Sequence, residues 1–179
     1  LDEKLKLFGT CDWVAMPGSL VGAQQKLEAQ GCKVITWGEG EGHELIVRSQ
    51  ATSSGRVIQA TWEGTNYNWT LPFSSEIAFR NAMTAALVAL QWGVNGHQVR
   101  PVLRRLKDLD MRMQRLRSRS GAWVLSDAYT NDWDALTLAL TDLDQLAGSF
   151  PKAAIIGPIP ALERSDSSRL IQLCQSRAG

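Results

Sequence analysis

Two histidines, His43 and His97, and three cysteines, Cys11, Cys32 and Cys174, are all that 179 residues contain of these two metal-binding side chains. The histidines share no ligand spacing and no Cys-x-x-Cys pair occurs, which weighs against a metal site built on these side chains. The odd, scattered cysteines fit reduced thiols of a cytoplasmic protein rather than a disulfide framework. A Ser-His-Asp triad would need one of the two histidines, and no Gly-x-Ser-x-Gly elbow presents a serine to it. No Gly-Lys-[Ser/Thr] occurs anywhere, so the chain holds no loop able to cradle nucleotide phosphates in the P-loop manner. An apolar run of membrane-spanning length and a signal peptide are both missing.

Apolar residues make up 44% of the chain and tryptophans number seven, which excludes disorder and supplies a core. Net charge is only +1, so bulk charge does not make a polyanion binder. Arg100, Arg104, Arg105, Lys107, Arg112, Arg115, Arg117 and Arg119 nevertheless crowd one stretch, opposed there by Asp108 and Asp110. Val99, Val102, Leu103 and Leu106 form an apolar stripe beside them, so most of these cations read as a solvated helix face rather than a nucleic-acid patch.

Periodicity divides the chain in two. Leu1, Leu5 and Phe8 suggest a short helix; residues 12–16 read as a strand stopped by Pro17-Gly18. Ser19 is positioned to cap a helix running to Gln30, and residues 33–37 form the next strand, a β-α-β unit that calls for parallel pairing. Residues 44–48, 56–62 and 67–71 alternate as short strands, the last two flanking a hairpin turn at 63–66. Phe79, Ala82, Met83, Ala86, Leu87 and Leu90 mark a helix over 75–92 that stops at Gly93, with Asn81 off the apolar stripe. A helix over 98–107 follows, with Pro101 in its first turn. After a linker at Leu109-Asp110, strands are expected at 113–116, 122–125 and 153–156, with parallel crossover topology. Helices follow from Asp132 and from Ser165.

The most informative segment is 126–132, where the second of those strands hands over to a helix bearing Leu136, Ala139, Leu140, Leu143 and Ala147 in phase. Open α/β sheets bind ligands outside the carboxyl ends of their strands. Asp132 as N-cap, Asp134 in the first turn and Asn131 in the turn explain part of its polarity; Asp127 and Tyr129 are left over.

In order along the chain, Lys33-Val34-Ile35-Thr36-Trp37-Gly38, Leu71-Pro72-Phe73, Asn81-Ala82-Met83-Thr84-Ala85-Ala86, Gly93-Val94, Arg112 and Asp127-x-Tyr129 resemble the Mur ligases, ATP-dependent enzymes of peptidoglycan-precursor synthesis. The Asp127 to Asn131 pattern is most similar to the branch that adds D-alanyl-D-alanine to UDP-N-acetylmuramoyl-tripeptide. Residues 3–8 and the short 73–81 connection are similar to fused forms in which an alanine racemase follows.

The resemblance implies an α/β chain: residues 1–109 as the C-terminal half of the central ATPase domain, and 110–179 as the first part of a Rossmann-like C-terminal domain. It implies ATP and Mg2+ for the parent enzyme, pyridoxal phosphate only if a racemase follows, and cytoplasmic action without nucleic acid or membrane. Asn81 would meet adenine, Arg112 the ribose or phosphate, Asp127 the ribose hydroxyls, and Tyr129 would line the same crevice. No catalytic residue or metal ligand is assigned. A fragment inactive alone is expected, with an oligomer or residual inter-unit contacts covering its sheet edges. The chain departs from the family at Ile77-Ala78, Ala128 and Thr130, which leaves open a degenerate, non-catalytic packing domain; a polyanion binder rests on the arginine cluster alone.

Overall fold

The structure is a computed structural model and describes residues 2–52, 54–73, 75–107, 111–129, 133–157, 168, 171 and 172. The chain divides into two compact units, residues 1–107 and 108–179.

The first unit opens with α1 (Asp2–Leu5) and a 3-10 turn over Lys6–Phe8, then builds β1 (Trp13–Pro17), α2 (Val21–Ala29) and β2 (Lys33–Gly38). Three strands follow, β3 (Leu45–Thr52), β4 (Gly55–Trp62) and β5 (Thr65–Leu71), and then helices α3 (Glu76–Gln91) and α4 (Gly96–Leu103). They form one five-stranded mixed sheet in the order β1-β2-β3-β4-β5. β1 to β3 are parallel, and β3 to β5 antiparallel.

Side-chain patterning follows that topology. β1 is covered on both faces: Val14 and Met16 join Leu5, Ala23, Leu27 and Cys32 in one core, while Trp13 and Ala15 pack on the larger core. Strands covered on both faces are apolar almost throughout, whereas one-sided antiparallel strands alternate. In β4 and β5 Ile58, Ala60, Tyr67, Trp69 and Leu71 point into the core, and Gln59, Asn66, Asn68 and Thr70 face solvent. α3 lays Phe79, Met83, Leu87 and Leu90 on that core, at the i, i+4, i+8 and i+11 spacing of one helical face. Burying a side chain of this size contributes about 1.5–3 kcal/mol. Two indoles keep their polar atoms satisfied: Trp69 Nε1 donates to the Gly96 carbonyl at 3.1 Å and Trp37 Nε1 to Thr84 Oγ1 at 2.9 Å.

Ser75 caps α3, accepting from Ala78 N. Two local expectations are corrected. Ser19 does not cap α2; Leu20 holds the N-cap position without a side-chain bond. α4 starts at Gly96 rather than Gln98, because Asn95 and Gln98 form a capping box. Pro101 therefore lies beyond the first turn and cannot bond back to the preceding turn, and the helix ends at Leu103. Val102, expected on the buried stripe, is 53% exposed.

The second unit contains β6 (Gln114–Arg117), β7 (Trp123–Ser126) and α5 (Trp133–Ala147). β6 and β7 pair antiparallel. The connection 118–122 is too short for a crossover, which needs a dozen or more residues. Residues 153–156, expected as a strand, carry no strand assignment. They join β7 and α5 around an apolar cleft of about 530 Å³. Leu136, Ala139, Leu140 and Leu143 of α5 line it, as the helical phase anticipates. Arg115 of β6 pairs with Asp142 of α5 at 3.7 Å. The Asp132 cap lies outside the described residues, as does most of the helix from Ser165, of which 168, 171 and 172 are helical.

Candidate functional site

Arg112, Asp127 and Tyr129 come together in the second unit, where β7 ends. Arg112 lies between Met111 and Met113, both at positive φ (59° and 51°), a conformation uncommon outside glycine. Two hydrogen bonds hold this segment against the residues after β7. Asp127 Oδ1 accepts from Met113 N at 3.1 Å, and the Met111 carbonyl accepts from Tyr129 N at 3.1 Å. Met113 is buried at 6% exposure, which anchors the clasp from below. The Arg112 guanidinium carbon stands 4.0 Å from the Tyr129 ring centroid, within range of a cation-π contact. Both side chains are exposed. The arrangement presents a cation fixed on an aromatic face to solvent, a suitable grip for a phosphate.

Asn81 belongs to the first unit. It is exposed on α3, off the buried stripe, where its amide is open to a hydrogen-bonding ligand. Of the eight clustered cations only Arg115 is half-buried; the others are exposed, as a solvated face requires.

Sequence reasoning passed over one polar cluster. At the carboxyl ends of parallel β1 and β2, His43 Nδ1 lies 2.9 Å from Thr36 Oγ1, and Glu44 Oε2 accepts from Thr36 N at 2.7 Å. The imidazole fills a slot between Gly18 and Gly38, where an added Cβ would come within 2.1 Å and 2.5 Å of the ring. The Gly38-x-Gly40-x-Gly42-His43-Glu44 string was the available signal. The cluster ties the segment after β2 back onto the strand ends. Among the described residues no group of three or more His, Cys, Asp or Glu side chains could hold a metal ion. No helix among them is long and apolar enough to cross a membrane.

This mixed α/β fold is that of the Mur ligases. MurF from Acinetobacter baumannii superposes with a TM-score of 0.74 at 19% identity, over 91% of this chain and 35% of that one. MurF from Thermotoga maritima, solved with ADP, superposes with a TM-score of 0.69 at 14% identity, over 90% of this chain and 36% of that one. In sequence, the UDP-N-acetylmuramoyl-L-alanyl-D-glutamate--2,6-diaminopimelate ligase of Zymomonas mobilis is 29% identical over 144 residues, 79% of this chain and 29% of that protein. No family model matches the chain. The chain is thus similar in sequence to the Zymomonas ligase and in fold to the two MurF structures. The chain spans about a third of the length of the proteins it matches.

Proposed function

We propose that the chain is a piece of an ATP-dependent ligase that joins D-alanyl-D-alanine to UDP-N-acetylmuramoyl-tripeptide in the cytoplasm. Residues 1–109 are its share of the central ATP-binding domain and 110–179 its share of the C-terminal domain. The observation that carries the reading is the clasp of Arg112, Asp127 and Tyr129 at the end of β7, in a chain whose fold is that of MurF. Arg112 grips a phosphate, Asp127 accepts from the ribose hydroxyls, and Tyr129 walls the crevice. Asn81 offers its amide to the adenine edge.

A carboxylate oxygen at the tripeptide's terminus bonds to the γ-phosphorus of ATP, the bond to the β–γ bridging oxygen breaks, and ADP leaves, giving an acyl phosphate. The dipeptide's amine then attacks the acyl carbon, the new amide bond forms, and inorganic phosphate leaves with the bonding electrons. The residues of this chain bind and orient the nucleotide; positioning of this kind accounts for much of the acceleration of group transfer. Without a Gly-Lys-[Ser/Thr] the chain does not turn over alone. A following racemase domain, with its pyridoxal phosphate, belongs to the same reading through residues 3–8 and the short 73–81 connection.

A second reading has the parent add diaminopimelate, favoured by the name of the Zymomonas relative. Ligation assays on the parent enzyme with each amine separate the two. In that enzyme Arg112→Ala and Asp127→Asn should raise KM for ATP more than KM for the nucleotide-linked peptide. Unchanged ATP dependence in both variants would refute the assignment.

A further inference from the structure

Asp127, Arg112 and Tyr129 do not have equal parts in the clasp. Asp127 Oδ1 accepts from the backbone N–H of Met113, the residue after Arg112. On the other side of Arg112, the Met111 carbonyl is engaged by Tyr129 N. Both flanking residues are at positive φ, which a methionine adopts only when its surroundings impose it. Three separate contacts, two to the backbone on either side and one to the guanidinium, thus converge on a single arginine.

We propose that Asp127 and Tyr129 are positioning residues for Arg112, holding its backbone and its guanidinium in place before an anion arrives. An unrestrained arginine loses much rotamer freedom on gripping a ligand, and a side chain ordered in advance avoids that loss. The Tyr129 ring face does this without neutralising the charge, unlike a carboxylate partner, so the guanidinium keeps its N–H fork for phosphate oxygens. Asp127 acts one step further back, through Met113 N. Only the identity of the anion rests on the function proposed above; the placement of Arg112 does not.

Nuclear magnetic resonance on the 15N-labelled chain tests this through the Arg112 Nε–Hε signal. In the unchanged chain and in Tyr129→Phe the ring current should displace that signal from its free-arginine position; in Tyr129→Leu the displacement should vanish. Asp127→Asn, which keeps an oxygen for Met113 N, should retain the placement, and Asp127→Ala should lose it. Amide signals of α5 report whether each variant is folded, and the Phe/Leu pair decides the matter if Asp127→Ala is not. Titration with MgATP should move the Arg112 signal, with affinity about two- to fivefold weaker in Tyr129→Leu, as loss of an exposed cation-π contact implies. An Arg112 signal indifferent to Tyr129→Leu would overturn the proposal. Placement behaving as stated, with no response in the unchanged chain to MgATP well above the roughly 1 mM dissociation constant expected, would uphold the positioning and refute the nucleotide reading.

Discussion

The two units place stability and chemistry in different parts of the chain. In the first, a mixed sheet is packed by α3 and α4 into a core in which Trp69, Ile35, Leu45, Ile58, Met83 and Leu87 are almost wholly excluded from solvent. In the second, Met113 and Leu140 are the only buried apolar residues among those described, and Trp123, Val124 and Ile155 are exposed. Yet the second unit carries the arginine, aspartate and tyrosine that converge on one another. Low local burial goes with low local opening energy, and binding elements are drawn from that end of the range. The first unit is therefore expected to act as a rigid base and the second as the adjustable part.

Substitutions in each unit can break or sharpen that contrast. The largest effect is expected from Trp69→Ala, which removes a ring stacked on Tyr67 and a bond to the Gly96 carbonyl. Denaturant unfolding should show a loss of about 3–5 kcal/mol from the first unit; a loss below about 1 kcal/mol would mean that the core is not the base described.

Gly55→Ala comes next. Gly55 has φ of 147°, and an added Cβ would fall 2.0 Å from the Leu71 carbonyl oxygen, which is backbone and cannot rotate away. Overpacking of this sort costs about 1–3 kcal/mol, and hydrogen exchange should localise the loosening to β4 and β5.

Leu140→Ala opens the second unit beside a cleft that can collapse to meet it, so the cost should be at the low end for such a change, about 2 kcal/mol. Exchange should quicken in α5 while β3 to β5 keep their protection; uniform loss through both units would erase the comparison. The smallest change is expected from Arg117→Ala, which removes an exposed stack on Trp123 at 4.0 Å and should shift stability by about 0.5–1 kcal/mol.

The contrast also separates what could be read in the sequence from what could not. β4, β5 and α3 were legible because one face of each meets a core, and periodicity records that directly: Ile58 and Ala60 against Gln59, Phe79 and Met83 against Asn81. The run at 153–156 has strand composition but no assigned strand, since pairing is a long-range property that composition does not encode. The antiparallel β6–β7 pair was in principle legible from the short 118–122 connection, and the early start of α4 from Asn95-x-x-Gln98.

At the site, the residue types at the end of β7 stood out by polarity alone. That Asp127 bonds Met113 N could not be seen, because it depends on the register that sets residue 127 opposite residue 113. His43 has no metal-ligand or triad spacing to mark it in the sequence; its seat between Gly18 and Gly38 arises from β1 lying beside β2.

The most direct test of the central claim, that this chain supplies a nucleotide-facing wall but no phosphate loop, is a calorimetric titration of the chain with MgATP, together with an assay of phosphate release. Affinity on the order of 1 mM or weaker, about −4 kcal/mol, is expected, reduced further by Arg112→Ala and with no phosphate released. Micromolar binding by the unchanged chain, or turnover of ATP, would contradict the account.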